Sequence, residues 1–282
     1  MAIGGLPNWI GSQAVSETGQ RSMYNARAAL GLAGAGWMSE MAGKERTVIV
    51  NLTGSDHNFN TGNLHQLMLS AAGGSWPAQA TWKIIVHSGV QLVSMDTGNA
   101  CMWFGGAING KVVVENHGHI FGRGGAGGAI TCGDAGCTQG GSAGGHAIYR
   151  EPKITLEIIN YGTISGGGGG GGGGYTFSSA GGGRHYGQGG GGGAPFGAGG
   201  YSNGVNHPRP GSSAGYLDGG AGGAGGDRGE AHGGTGGALG ANGGAAWGNN
   251  RANAGGGYAG NAIAGGGTII WTVRGDIRGA VS

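Results

Sequence analysis

The stretch Ile164–Ser179 reads ISGGGGGGGGGYTFSS and sets nine consecutive glycines, residues 166–174, between a strand-like segment and an aromatic cluster. Glycine loses more conformational freedom on ordering than any other residue, so such a run stays disordered unless many neighbours hold it. Glycine supplies 78 of the 282 residues, against roughly 7% in average proteins. The fold of this chain therefore depends on whether its glycine runs are linkers or packed structure.

The composition excludes several classes of protein. Charged residues make up 10% of the chain and the formal net charge is +2, which is not the basic surface of a nucleic-acid-binding protein. Disordered chains are rich in charge and poor in aromatics, whereas this chain has 7 Trp and 8 Tyr. It also lacks the roughly 18 uninterrupted apolar residues of a membrane helix. We expect no nucleic acid, no membrane insertion and no cofactor.

Glycine is distributed unevenly along the chain. Residues 1–121 contain 18 glycines, whereas residues 122–267 contain 58. We therefore predict three parts: an α+β domain over 1–121, a glycine-rich domain over 122–267 with little α-helix, and a C-terminal strand in 268–282 that returns to the first part.

Several patterns in the first part predict ordinary secondary structure. Ser12 can cap a helix that runs to about Leu30, and RTVIVNL (46–52) has the composition of a buried strand. From Thr61, a second predicted helix carries one apolar face. The residues of that face are Leu64, Leu67, Met68 and Ala71. The segment 81–95 reads as two strands joined at residues 87–89.

A short repeat occurs in each of the three predicted parts of the chain. The motif x-G-x-I-x-G occurs as HGHIFG (117–122), YGTISG (161–166) and RGDIRG (274–279), each time after a β-branched apolar segment. A recurring strand–turn–strand unit indicates one structural element used again. We predict that the three strands pair side by side and that the glycine segments are excursions that leave this scaffold and return to it.

The glycine runs themselves match one regular conformation. Collagen is excluded, because glycine does not recur at every third residue and the chain has 6 Pro. Chains without Cβ atoms can adopt the extended threefold polyproline-II conformation, which has no internal hydrogen bonds, so buried runs must bond laterally to one another. We predict a sandwich of polyglycine-II helices anchored on a few β-strands.

A packed glycine core offers no side chains to a ligand, so recognition falls to the segments between the runs. These segments combine Tyr, Phe and Trp with Ser, Gly and Asn, which is the composition of an adaptable binding surface. The alternative is that they are turns whose aromatics cap the ends of the bundle. We favour binding, because many exposed aromatics in loops are otherwise a liability.

The chain has three cysteines, Cys101, Cys132 and Cys137. The first residues, MAIGGLPNWIGS, lack the basic start and apolar stretch of a secretory signal. We therefore expect synthesis in a reducing compartment. Cys132 and Cys137 can close a small loop if they are oxidised, but two unpaired small residues in a glycine-rich turn are the favoured interpretation.

Three segments carry a resemblance to a known family. AIGGLPNWIGSQAVSETGQR (2–21), GWMSEMAGKER (36–46) and TGSDHNFN (53–60) resemble the N-terminal region of the distal adhesins on the long tail fibres of T-even-like bacteriophages. The alternation of glycine runs with irregular segments is similar to their receptor-binding region.

The resemblance implies a function and a location. It implies an N-terminal attachment domain, in a monomer that caps the trimeric distal tip protein of the fibre, and a polyglycine-II sandwich. The loops of that sandwich would bind a host outer-membrane protein or lipopolysaccharide, and the adhesin would lie on the virion at the fibre tip.

Two sets of residues follow as hypotheses. Docking to the fibre is assigned to Trp9, Ile10, Trp37 and Met38, which could instead form the core of their own domain. Contact with the receptor is assigned to the aromatic, polar and charged residues between glycine runs. These are Tyr175, Phe177, Arg184, His185, Tyr186, Phe196, Tyr201, Asn206, His207, Arg209, Tyr216, Asp227, Arg228, Trp247, Asn249 and Arg251.

Other functions compete with this one. G-x-G-x-x-G occurs by chance at this glycine content and lies in no βαβ unit, and no nucleophile elbow is present, so we expect no enzyme and no catalytic residue. His117 and His119 could form half a metal site, but a solvated strand face is favoured and we expect no metal. A fibre-assembly chaperone and a structural or ice-binding polyglycine protein remain as alternatives.

Overall fold

The structure is a computed structural model that describes residues 14–15, 18–32, 41, 45–77, 80–132, 135–178, 184–203, 205–225, 230–248 and 252–282. The fold is mixed α+β and mostly β-sheet. It has two parts, a coiled scaffold of parallel strands and a block of extended glycine-rich segments.

The scaffold is built from three parallel sheets that the chain visits in turn. The first sheet contains β1 (Thr47–Leu52), β3 (Thr81–Val86), β6 (Lys111–Asn116), β9 (Thr155–Asn160) and β16 (Ile269–Val273). The second contains β2 (Asp56–Phe59), β4 (Gln91–Ser94), β7 (His119–Phe121), β10 (Thr163–Ser165) and β17 (Asp276–Arg278). The third contains β5 (Met102–Phe104), β8 (Ile148–Arg150) and β15 (Ile263–Gly265). Each passage through the sheets is one coil of a β-solenoid, so every coil stacks on the one before it.

The predicted repeat is confirmed as the stacking unit of the second sheet. Ile164 of β10 lies in register with Ile120 of β7 on one side and with Ile277 of β17 on the other. Ile120 and Ile164 are fully buried. The first glycine of the motif is needed because a Cβ on Gly162 would overlap the carbonyl oxygen of Gly118 in the coil below.

A pair of buried asparagines fixes the corner between the first and second sheets. Asn116 Nδ2 donates to Asn160 Oδ1 at 2.7 Å, and Asn160 Nδ2 donates to the carbonyl oxygen of Arg274 at 2.9 Å. Because these amides bond from coil to coil, the corner keeps its polar groups satisfied inside the protein.

The interior of the scaffold is apolar and continuous through the coils. It includes Trp82, Ile84, Val112, Val114, Leu156 and Ile158. The segment RTVIVNL is a strand as predicted, but its burial alternates, because one face of the sheet packs on the core and the other faces solvent, where Ile49 is 51% exposed.

The helices differ from the predictions in detail. Ser12, the predicted cap of the first helix, lies outside the described residues. Gly19, whose φ is +70°, interrupts the predicted range, and α1 spans Met23–Ala29 with Ser22 at its N-cap position. The second predicted helix is α2 (Thr61–Ala71), whose first turn is capped by the Asn60 side chain. Leu64 and Met68 of α2 are buried, but Leu67 is 42% exposed.

The glycine-rich segments leave the scaffold after β7 and after β10 and return before β8 and β15. In the part of the chain that the structure describes, we distinguish ten of them, called rods here. The rods are 122–128, 139–145, 166–174, 189–194, 197–203, 209–215, 219–225, 231–238, 241–246 and 254–260. The sheets therefore do not follow the compositional boundary at residue 121, since strands on both sides of it stack in one solenoid.

The nine-glycine run is the rod with the most regular surroundings. Its N–H groups donate in rotation to three rods: Gly167 and Gly170 to 139–145, Gly168 and Gly171 to 189–194, and Gly169 and Gly172 to 241–246. Its carbonyl groups accept in the same rotation from rods 122–128, 231–238 and 254–260. Six rods therefore surround this one, and successive residues face neighbours that repeat with a period of three.

Steric contact makes glycine obligatory inside the block. A Cβ on Gly169 would overlap the carbonyl oxygen of Gly257, and one on Gly170 would overlap that of Ala126. The rod 189–194 also has six neighbouring rods, and the other eight rods surround these two. The core of this block is thus made of backbone, whereas the core of the scaffold is made of side chains.

Candidate receptor-recognition surface

The rods run up and down, so their connections fall at two opposite ends of the block. Turns near residues 195, 216 and 240 lie against the scaffold, at what we call the scaffold end. At the opposite end, called the far end, the described rods are joined by five connections, whose described residues are 129–132 and 135–138, 175–178 and 184–188, 205–208, 230, and 247–248 with 252–253.

A four-stranded sheet forms part of the far end. Its strands are β11 (Gly174–Ser178), β12 (Arg184–Gln188), β13 (His207–Arg209) and β14 (Ala252–Asn253). Tyr175 is buried, and its hydroxyl lies 2.6 Å from His185 Nδ1. The ring of Phe177 lies 5.0 Å from that of His185. Tyr175 therefore supports the surface from below, whereas Phe177 and His185 are half-exposed on it.

Hydrogen bonds join the neighbouring connection, which contains Asn206 and His207, to this sheet. The backbone N–H of His185 donates to Asn206 Oδ1 at 3.1 Å, and the backbone N–H of Asn206 donates to the carbonyl oxygen of His185 at 3.0 Å. The rings of Tyr186 and His207 stack with centroids 4.8 Å apart. Residues predicted from three separate segments of sequence are thereby brought together.

A second aromatic pair joins another connection to the end of a rod. Trp247 stacks on His232 with centroids 3.9 Å apart and an interplanar angle of 3°, and Trp247 is 60% exposed. The two residues also exchange backbone hydrogen bonds of 2.7 and 3.1 Å. His232 Nδ1 accepts from the backbone N–H of Gly225 at 3.0 Å. Sequence reasoning did not select His232, because a single histidine beside glycines gives no signal of a stacking partner.

Two further predicted residues lie at the same end. Tyr201 is 52% exposed at the end of its rod. Arg209 is exposed, and its Nη1 donates to the carbonyl oxygen of Ala224 at 2.7 Å. The Arg209 side chain therefore links two rods as well as facing solvent.

The favoured interpretation of Cys132 and Cys137 as unpaired is wrong. A disulfide joins these residues across the connection 129–138. The backbone N–H of Thr131 donates to the carbonyl oxygen of Cys137 at 3.2 Å, which closes the same loop. Cys101 has a free thiol in the scaffold core, where burial raises its pKa.

Phe196 and Tyr216 do not join the other predicted residues, because their turns lie at the scaffold end. The Phe196 ring lies 5.1 Å from that of His57, and the Tyr216 ring lies 5.3 Å from that of Phe121. Arg123 lies over Phe196 at 5.4 Å, and burial raises the pKa of Tyr216 to about 12. These residues pack the rods onto the second sheet, so for them the capping alternative is supported.

Some predicted residues lie outside the described part of the chain. They are the receptor candidates Asp227, Arg228, Asn249 and Arg251 and the fibre-docking candidates Trp9, Ile10, Trp37 and Met38. The backbone of Arg184 pairs with that of Ser178 in the far-end sheet. Sequence reasoning also passed over the exposed aromatics Tyr161 and Tyr258, which lie on the scaffold and on an outer rod.

The structure also bears on metal binding and membrane insertion. Among the described residues, no group of three or more His, Cys, Asp or Glu side chains could hold a metal ion. His117 bonds Glu115 and stacks on Tyr161, with 4.9 Å between ring centroids, so it is part of a side-chain network on the strand surface. No helix in the described ranges has the length and apolar character needed to cross a membrane.

Comparison with known proteins gives consistent results. The family model "Phage tail fibre adhesin Gp38" matches residues 47–282, and the model of the N-terminal domain of the same family matches residues 1–42. A curated relative, the receptor-recognizing protein gp38 of Salmonella phage S16, is 33% identical over 160 residues, which are 56% of this chain. The match spans 58% of the length of that relative.

A solved structure matches over the whole chain. It is a chain of the gp37-gp38 adhesin tip complex of the bacteriophage S16 long tail fiber, with a TM-score of 0.64, 30% identity and complete coverage of both chains. This chain belongs to the Gp38 family of phage tail fibre adhesins.

Proposed function

We propose that this protein is the tip adhesin of a phage long tail fibre and that its far end recognises a receptor on the host outer membrane. The observation that carries the proposal is that Trp247, Tyr201 and the stacked pair Tyr186–His207 all lie at the far end, where Trp247 is 60% and Tyr201 52% exposed. Aromatic anchors of this kind contribute most of the energy in protein recognition. The curated relative is named for receptor recognition.

We propose that the rods are polyglycine-II helices. The period of three in the hydrogen bonds of residues 166–174 supports this, since a polyproline-II helix has three residues per turn and no internal hydrogen bonds. Such rods hold each far-end connection at both of its ends. The connections can therefore change in sequence while the block that presents them stays the same, which suits a protein that determines host range.

The receptor we propose is an outer-membrane β-barrel protein. The far end presents rings and backbone groups with few carboxylates among the described residues, and stacked rings such as Tyr186–His207 suit the flat backbone and the Arg and Tyr side chains of extracellular loops. Lipopolysaccharide is the other class of receptor. Adsorption to deletion strains distinguishes the two classes.

We further propose that residues 1–121 provide attachment to the fibre and residues 122–267 provide recognition, with 268–282 closing the scaffold. Trp9, Ile10, Trp37 and Met38 are the proposed docking residues. The protein would cap a trimeric fibre as a monomer after synthesis in the host cytoplasm. Support for a fibre partner comes from the solved relative, which was crystallised as part of a gp37-gp38 tip complex.

Adsorption to single-gene deletion strains tests the proposal. Phage carrying the wild-type chain would be compared with a variant in which residues 205–208 are replaced by Gly-Ser, and with a control in which Leu217 and Asp218 at the scaffold end are replaced in the same way. We expect adsorption to fail on the strain that lacks one outer-membrane protein, and to fail for the 205–208 variant alone. Unchanged adsorption of that variant would contradict the far-end assignment, and loss only on strains with truncated lipopolysaccharide would assign a glycan receptor.

A further inference from the structure

A half-open pocket of about 610 Å³ lies on the flank of the scaffold, beside the third sheet and the start of α2. This volume falls within the range of small-molecule sites. Its described lining consists of Thr61, Gly98, Asn99, Ala100, Trp103, His146 and Tyr149. The pocket belongs to neither the far end nor the rods, so nothing proposed above uses it.

Two aromatic side chains form a shelf in this pocket. Trp103 of β5 and Tyr149 of β8 are directly paired in register on neighbouring strands, and both are at least partly exposed. Adjacent strands lie about 4.8 Å apart, so the two side chains leave the sheet next to each other on the same face. The next strand carries Ala264 at the same register position, so the two aromatic side chains are at neighbouring positions on β5 and β8 only.

Other contacts hold the shelf in place. The His65 ring lies 5.5 Å from the Trp103 ring, and His65 Nε2 lies 3.1 Å from the carbonyl oxygen of Trp103. These contacts place Trp103 before any ligand arrives, which reduces the entropy lost on binding.

Neutral hydrogen-bonding groups line the same pocket. His146 Nδ1 accepts from the backbone N–H of Asn261 at 2.9 Å, so the neutral ring carries its proton on Nε2 and can donate it. Burial lowers the pKa of His146, which keeps the ring neutral at pH 7. The amide nitrogen of Asn99 bonds the Asp96 carboxylate at 3.0 Å, which leaves the amide oxygen as an acceptor. Thr61 and Tyr149 add hydroxyl groups.

The chemistry of this lining selects one class of ligand. The described lining has no Lys, Arg, Asp or Glu, so a charged ligand would lose its hydration without gaining a counter-charge. A purely apolar ligand would leave the hydroxyl, amide and imidazole groups unsatisfied. A neutral pyranose sugar satisfies both requirements. Its C–H face packs on the negative faces of aromatic rings, and its hydroxyl groups both donate and accept hydrogen bonds.

We infer that the Trp103–Tyr149 pocket is a binding site for a neutral pyranose, separate from the receptor surface at the far end. A cell-surface glycan or a free sugar would present the same ring. A site on the scaffold flank would let the adhesin hold a glycan while its far end remains free.

Titration with four methyl glycosides, those of glucose, galactose, mannose and N-acetylglucosamine, tests the inference with the full chain. We expect at least one to bind with millimolar affinity, to quench tryptophan fluorescence and to show saturation transfer to its C–H protons. We expect Trp103→Ala and Tyr149→Ala to weaken this binding by roughly tenfold or more. Tyr258→Ala removes an aromatic side chain that is 77% exposed elsewhere, and should leave binding unchanged.

Two results would overturn the inference. One is the absence of binding by all four glycosides up to about 30 mM; the other is binding that persists in both shelf variants. N-acetylneuraminic acid, a charged sugar, should bind more weakly than the best neutral glycoside. The 205–208 replacement should leave the sugar titration unchanged, so the pocket and the far-end receptor surface can fail independently.

Discussion

The scaffold has a core of apolar side chains, whereas the block of rods has a core of backbone. A scaffold strand has a neighbour on each side and buries Ile, Val or Leu on one face, whereas the rod 166–174 has six neighbours and buries only backbone. In the scaffold, a residue can change to another apolar residue of similar volume. At the interior positions of the rods, an added Cβ overlaps a carbonyl oxygen. The comparison predicts that the interior of the rods tolerates substitution less well than the apolar core of the scaffold.

The largest expected effect is a substitution inside the central rod. Gly170→Ala places a methyl group against the carbonyl oxygen of Ala126, and backbone cannot move aside without breaking neighbouring hydrogen bonds. We expect a loss of more than about 4 kcal/mol in the free energy of unfolding, measured by chemical denaturation and limited proteolysis. Gly255→Ala is the matched control, because a Cβ there has no atom within 4 Å. Equal stability of the two variants would refute a backbone core.

A smaller effect is expected for a side chain in the scaffold. Ile164→Ala leaves a cavity between Ile120 and Ile277 and should cost about 3 kcal/mol, read from the same denaturation curves. Ile49→Ala, at a site that is 51% exposed, should change stability by less than about 0.5 kcal/mol. If Ile164→Ala were as mild as this control, the repeat would not be the stacking unit.

A third prediction concerns a substitution that should reduce adsorption but leave stability unchanged. Trp247→Ala should reduce adsorption to the sensitive host by roughly 30-fold, or about 2 kcal/mol, with no change in Tm. The control is Tyr161→Ala on the scaffold, because Tyr161 and Trp247 are both 60% exposed and both stack on a histidine. Similar loss in both variants would mean that the far end has no special role.

The smallest effect is a pH dependence that belongs to the scaffold. Burial lowers the pKa of His146 below its ordinary value of 6.5, so the folded state favours the neutral ring. The unfolded chain therefore binds a proton more readily than the folded chain does. The contribution of His146 to the free energy of unfolding is fully present above pH 6.5 and falls as the pH drops below that value. Urea unfolding at pH 7.5 and pH 5.5 measures the difference, and His146→Gln should reduce it. An identical pH dependence in that variant would exclude His146 as the cause.

More of the scaffold than of the far end could be predicted from the sequence. The x-G-x-I-x-G repeat carries β-branched strands, so its side-by-side pairing could be predicted and is confirmed. Family membership confirms the resemblance and the prediction that the chain is not an enzyme. The resemblance rested on short N-terminal motifs, and their side chains lie largely outside the described residues.

The positions of Phe196 and Tyr216 show what the glycine pattern does not reveal. Both belong, like Tyr201, to the segments between glycine runs, yet successive turns between rods fall at opposite ends of the block. Glycine runs have no side-chain pattern that marks their direction or register, and those are set by hydrogen bonds between rods distant in sequence. The pairing of His232 with Trp247 depends on the same register.

Hydrogen–deuterium exchange with host membranes tests the central claim most directly. The protein would be measured alone, with outer-membrane vesicles from a sensitive host, and with vesicles from a resistant host. The account predicts added protection on sensitive vesicles only in the far-end connections, above all in 204–208 and 247–253. Protection confined to the scaffold or to the outer rods, with the far-end connections unchanged, would contradict it.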